Sequence, residues 1–158
     1  MKQLSGYGHL KAANKHYGKV FFSLILLLVF VSIMVSNFGP VLAHDPGLFA
    51  GMKTLAYILA GVLLVLAYAL VQKKIHRIPQ EWPLEDKMAH YRKATSLRLW
   101  LIGAAGLLIS LFFLLTADTN LILVLAIVLI FLILSRPGPF KAGSDLKLSE
   151  EDKKELLQ

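Results

Sequence analysis

The side chains able to do chemistry in this chain are few, and none stands in a pattern that chemistry requires. There are five histidines, His9, His16, His44, His76 and His90, and no cysteine. No two histidines stand in the H-x-x-H or H-E-x-x-H spacing that turns two ring nitrogens toward one zinc ion. His44-Asp45 could bind a metal or titrate, but a turn is the simpler reading. Without cysteine there are no disulfides, thiolate zinc sites, iron–sulfur clusters or thiol nucleophiles. The nucleophile elbow, the phosphate-cradling glycine loop and the dinucleotide fingerprint are also absent. Ser23, Ser32 and Ser36 have no base nearby in sequence, so backbone carbonyls or a neighbouring helix are their expected partners. The expectation is a protein that is not an enzyme, with no catalytic residue, no metal and no cofactor.

The elements that carry these residues are apolar. Of the 158 residues, 56% are hydrophobic and 17% charged, and the mean hydropathy is +0.63. Soluble domains carry about a quarter charged residues, so the composition points to a membrane. Some ~20 apolar helical residues cover the ~30 Å hydrocarbon core of a bilayer. Four segments approach that length, 20–36, 54–71, 99–117 and 121–135. The fourth is short but has no polar face. A helix apolar all round needs lipid or a large core, and a chain of this size cannot supply the core. Strands would leave open edges that lipid does not tolerate. The expected fold is therefore all-α, with four transmembrane helices in two tandem hairpins. A basic N-terminal segment (1–19) precedes the membrane domain (20–135), which contains a charged loop (72–98). A polar tail (136–158) follows.

None of the four segments contains Asp, Glu, Lys, Arg or His. Proton-driven transport or an ion-translocating rotor needs a titratable group near the midplane, so this absence argues against both. The basic residues lie between the segments instead. In a four-span arrangement every lysine and arginine except Lys53 falls on one side of the membrane. Basic loops stay in the cytoplasm, which puts both termini inside. The net charge of +7 thus has a topological cause. Anionic lipid headgroups are the expected partners of Lys19, Lys73, Lys74, Arg77, Arg92, Lys93, Arg98 and Arg136, with Arg98 snorkelling from the entrance of the third span. No nucleic-acid motif accompanies the charge, and no nucleic-acid partner is expected.

Local signals refine the organisation. Lysines before an apolar run, with Val41-Leu42-Ala43 after it, have the outline of a cleavable signal peptide. The long basic N-terminal segment favours an uncleaved first span; cleavage would leave three spans with the rest oriented alike. His16-Tyr17-Gly18-Lys19 and His90-Tyr91-Arg92-Lys93 precede the first and third spans, which suggests a duplicated hairpin in parallel orientation. Pro83, Glu85 and Asp86 suit the start of a helix that runs to Ala117, about 50 Å at 1.5 Å per residue. Its first part would lie along or below the cytoplasmic interface, with Leu84, Met88, Tyr91 and Thr95 as a stripe that could meet headgroups or a partner but most simply packs on the chain's own N-terminal segment. In the tail, 141–147 reads as extended. Ser149 followed by three acids reads as the cap of a short helix that Leu146, Leu148, Leu156 and Leu157 could dock.

Small residues mark close approach in membranes. Ala56, Ala60 and Ala67, with Gly61 beside them, and Gly103, Gly106 and Ser110 are the packing candidates, most simply between the second and third helices or between protomers. Tyr57 and Tyr68 flank the second span near opposite interfaces.

Residues 88–157 resemble a group of small, uncharacterised bacterial four-span membrane proteins. The resemblance rests on Tyr91-Arg92-Lys93-Ala94, Arg98, Leu134-Ser135-Arg136-Pro137 and Leu146-Lys147-Leu148-Ser149-Glu150-Glu151. Members of the group carry Glu-Gly early in the third span, where this chain has Gly103-Ala104, so that acid's role does not transfer. The resemblance implies the fold and a bacterial inner-membrane address, and no activity. The leading functional expectation is a structural or accessory component acting through helix packing, with a second copy or another membrane protein as partner. The alternative is a small oligomeric transporter or channel.

Overall fold

The computed structural model describes residues 5–41 and 46–156. Leu42, Ala43, His44, Asp45 and Leu157, which carry parts of the readings above, lie outside the described residues. The described chain is all-helical: α1 (Gly6–Phe38), α2 (Pro46–His76), α3 (Leu84–Thr116), α4 (Asn120–Leu134), α5 (Pro139–Asp145) and α6 (Glu150–Glu155). Three helices, α1 to α3, are long and apolar enough to cross a membrane. The 15-residue α4 is followed by α5 at a bend of 83°, and the two together form a further candidate span. Long apolar helices of this kind suggest a membrane-spanning protein.

The helix ends follow from their sequences. Ser5 caps α1, its Oγ accepting from the Gly8 amide at 3.2 Å. Pro83 stands at the N-cap of α3, with Glu85 and Asp86 in the first turn where the helix dipole favours acids. Ala117 ends α3 in the left-handed region (φ 53°), a conformation disfavoured outside glycine. Asp118 then turns the chain into α4, its Oδ1 accepting from both the Asn120 amide and the Asn120 side chain at 2.9 Å. Ser149 caps α6 by accepting from the Asp152 amide at 3.1 Å.

α3 is the helix the others share. α1 and α2 each pack extensively along it, α4 packs on it too, and α1 and α2 have little contact with each other. The expected pairing of the first two helices as a hairpin is therefore corrected, and the packing gives no sign of a duplicated unit. The reason is visible on α3. A Cβ at Gly106 would lie 2.8 Å from Leu24 Cδ2, and one at Gly103 would lie 3.3 Å from Val20 Cγ1. The two glycines thus make the notch that seats α1, not α2. Ala56, Ala60 and Ala67 of α2 are buried in the same core as Leu99, Ile102 and Ile109. Ser110 is buried, its Oγ donating to the Gly106 carbonyl at 2.9 Å. Gly61 is exposed with nothing within 4 Å of a built Cβ, so it is not a packing position. Ser23, Ser32 and Ser36 form no side-chain hydrogen bond among the described residues; Thr54, Ser110 and Thr116 make the backbone carbonyl bonds instead.

A second core sits at one end of the bundle. It joins Leu10 of α1, Val71 and Ile75 of α2, Met88, Tyr91 and Ala94 of α3, and Ala142, Leu146, Leu148 and Leu156 of the tail. The Met88–Tyr91 stripe thus packs on the N-terminal segment and also on the tail. Of residues 141–147, expected to be extended, 141–145 belong to the helix Pro139–Asp145. Pro139 starts α5, and Ala142 and Gly143 are buried, so docking supplies what the weak local propensity does not.

Candidate functional site

The chemistry of the chain is concentrated at this second-core end. Arg98 was expected to snorkel to headgroups. It is instead 2% exposed, with its guanidinium carbon 5.1 Å from the centroid of the Tyr68 ring. The Tyr68 hydroxyl lies 3.4 Å from Ser135 Oγ, at the end of α4. One helical turn before Arg98, Thr95 is buried, and Tyr91 is buried with its hydroxyl donating to Asp145 Oδ2 at 3.3 Å. Burial first, and then the Asp145 charge, pushes the Tyr91 pKa above the ordinary phenol range, so this hydroxyl keeps its proton. Lys141 of α5 donates to the Leu134 carbonyl, capping α4. Burial and the Arg98 charge lower its pKa, against the Asp145 charge. Arg98, Tyr68, Ser135, Tyr91, Asp145 and Lys141 therefore tie α2, α3, α4 and α5 into one node. Sequence reasoning missed it because position along a helix does not reveal which way a side chain turns. The node's chemistry is adhesive: a guanidinium on an aromatic face and hydroxyls on a carboxylate and a serine, with no nucleophile beside a base.

Beside the node an open cleft of about 320 Å³ separates the end of α2 from the start of α3. Lys74, Arg77 and Lys93 supply its cations, and Trp82 and His90 its aromatic wall. Trp82 and His90 meet edge to face at 4.8 Å. The carbonyl of Asp86 can only accept, so His90 Nδ1 carries the proton in their 3.0 Å contact. Lys74, Arg77 and Lys93 are exposed, and among the described residues no carboxylate pairs with them. Lys19, Lys73 and Arg136 are also exposed, Arg92 is half-buried, and none of these four lines the cleft.

The opposite end is spare. Lys53, the one basic residue of its side in the four-span reading, pairs with Asp118 of the α3–α4 turn at 2.7 Å. Their hydrogen bond holds the Asp118 carboxyl below its usual pKa and raises that of Lys53. Lys53 also stands 5.9 Å from the centroid of Tyr57. No known protein family, curated protein or solved structure matches the chain.

Proposed function

We propose that the protein is a four-span component of a bacterial cytoplasmic membrane, with both termini and the α2–α3 turn in the cytoplasm. It acts as a structural or accessory subunit through helix packing and its cytoplasmic face. The observation that carries the reading is the second core, which gathers the N-terminal part of α1, the α2–α3 junction and the tail at one end of the bundle. An odd number of crossings would pull these segments to opposite sides. α4 then crosses as a short span of about 22 Å at 1.5 Å per residue, accommodated by local thinning of the bilayer. α5 turns aside at the cytoplasmic surface.

The spans support a packing role over transport. They hold no Asp, Glu, Lys, Arg or His, so ions and protons find no relay in them. The α1–α3 notch and the alanine face of α2 are filled by neighbouring helices of the same chain. The experiment is crosslinking in native membranes followed by purification in mild detergent, with flux assays on the purified protein in proteoliposomes. A membrane protein, or a second copy, recovered in fixed stoichiometry and no flux is the expected result. Solute-dependent flux by the purified protein alone would overturn the reading.

A further inference from the structure

The cleft between α2 and α3 has the features of a lipid-headgroup site. It holds Lys74, Arg77 and Lys93 without a carboxylate counter-ion among the described residues. Unbalanced like charges on a shared wall repel each other unless an anion joins them. The height of the cleft identifies the anion. Lys74 stands three residues beyond the apolar part of α2 and Lys93 six residues before that of α3, about 5 and 9 Å at 1.5 Å per residue. The headgroup layer occupies the first ~5–8 Å outside the hydrocarbon, so Lys74 stands at its level and Arg77 and Lys93 just beyond it, within reach of their long side chains. Above the cations the same helix faces turn apolar. Leu70 and Leu66 lie one and two turns above Lys74, and Leu97 and Leu101 one and two turns above Lys93. Leu66 and Leu70 are exposed and Leu97 and Leu101 half-buried, so an acyl chain has a surface to follow. Trp82, 38% exposed, stands at the rim farther from the hydrocarbon, edge to face with His90.

We propose that this cleft binds the phosphate of an anionic phospholipid, with Lys74, Arg77 and Lys93 as its donors and the leucine track above as the seat of an acyl chain. The inference rests on the membrane placement proposed above. The phosphate sits among the three cations, and the Trp82–His90 pair closes the cytoplasmic side. Arg98 takes no part, because its guanidinium is turned into the core against Tyr68.

The test is native mass spectrometry of the full chain in mild detergent with phosphatidylglycerol and phosphatidylcholine added together, and inorganic phosphate as a competitor. The wild type should retain phosphatidylglycerol preferentially. Each of Lys74→Gln, Arg77→Gln and Lys93→Gln should cut that preference about fivefold, and the triple variant on the order of a hundredfold. Lys11→Gln/Lys15→Gln/Lys154→Gln, which removes the same charge from exposed positions outside the cleft, should leave it near the wild-type level. Absence of preference in the wild type, or equal loss in this control variant, would overturn the site. Full displacement by inorganic phosphate would overturn the lipid assignment in favour of a free anion. Membrane fractionation of the same variants separates the two levels. Protein that stays in the membrane but shows no preference defeats the cleft alone, whereas protein recovered from the aqueous fraction defeats the placement itself.

Discussion

The two cores of this molecule are built by opposite rules. Around the apolar spans, large side chains face outward: Phe22, Leu26, Val65 and Leu123 are each at least 66% exposed. The interior there is lined by Ala56, Ala60, Ala67 and Gly106 as much as by leucine. At the second core the large side chains are inside, Met88, Tyr91, Leu146 and Leu156 among them, and most lysines and acids lie toward the outside, with Lys87 buried. Lipid tails are as apolar as leucine, so an apolar side chain gains nothing by leaving them, and close backbone approach does the joining. In water the same side chain is driven inward. On the proposed membrane placement the chain records where its solvent changes, near Arg98.

Truncating one leucine in each region should separate the two cores most strongly. Leu146→Ala, in the water-built core, should cost about 3 kcal/mol of stability in mild detergent. Leu123→Ala, on the outer face of α4, should cost less than ~1 kcal/mol, because the removed atoms faced tails. Equal losses in thermal or denaturant unfolding would erase the distinction. The glycines sharpen it next. Gly106→Leu forces α1 off α3 and should cost about 2 kcal/mol, whereas Gly61→Leu, with open space around it, should stay within ~0.5 kcal/mol. A Gly106→Leu protein as stable as wild type would remove the notch from the packing.

A smaller effect is confined to the second core. Burial and the Arg92 charge lower the His9 pKa below its ordinary 6.5, partly opposed by Glu85. His9 Nδ1 is also buried without a hydrogen-bond partner among the described residues. The folded state therefore favours the neutral ring, and the unfolded chain takes up the proton more readily. The stabilisation is fully present above pH 6.5 and declines as pH falls below it. His9→Gln should flatten this part of a stability-versus-pH profile, and an unchanged slope would assign the pH dependence to other groups.

Much of the architecture was legible from periodicity and end signals. The start of α3 after Pro83 followed from the acids of its first turn, and its end at Ala117 from the polar residues beyond. Ser149 announced α6. Less was legible where direction around a helix mattered. The spans of α1 to α4 are apolar on nearly every side, so no polar face tells which side a neighbour takes, and chain order alone suggests an α1–α2 hairpin. Height along the helix alone suggests a snorkelling Arg98, whereas its guanidinium lies against Tyr68, distant in sequence. Gly61 and Gly106 are alike as letters; only the approach of Leu24 separates them. α5 was hidden because its glycine and serine weaken the helix signal, and its support comes from the second core. Of the cleft, all three cations were named as lipid contacts, but so were five others that do not line it.

On the proposed topology, lipid solvates the four spans while the second core sits in the cytoplasm. Because the chain has no cysteine, single cysteines report position without background. Thr119→Cys marks the α3–α4 turn and Glu81→Cys the α2–α3 turn, both exposed. With a membrane-impermeant maleimide, Thr119→Cys should label in intact cells and Glu81→Cys only after lysis. The reverse pattern, or labelling of both from outside, would contradict the topology on which the two-solvent division depends.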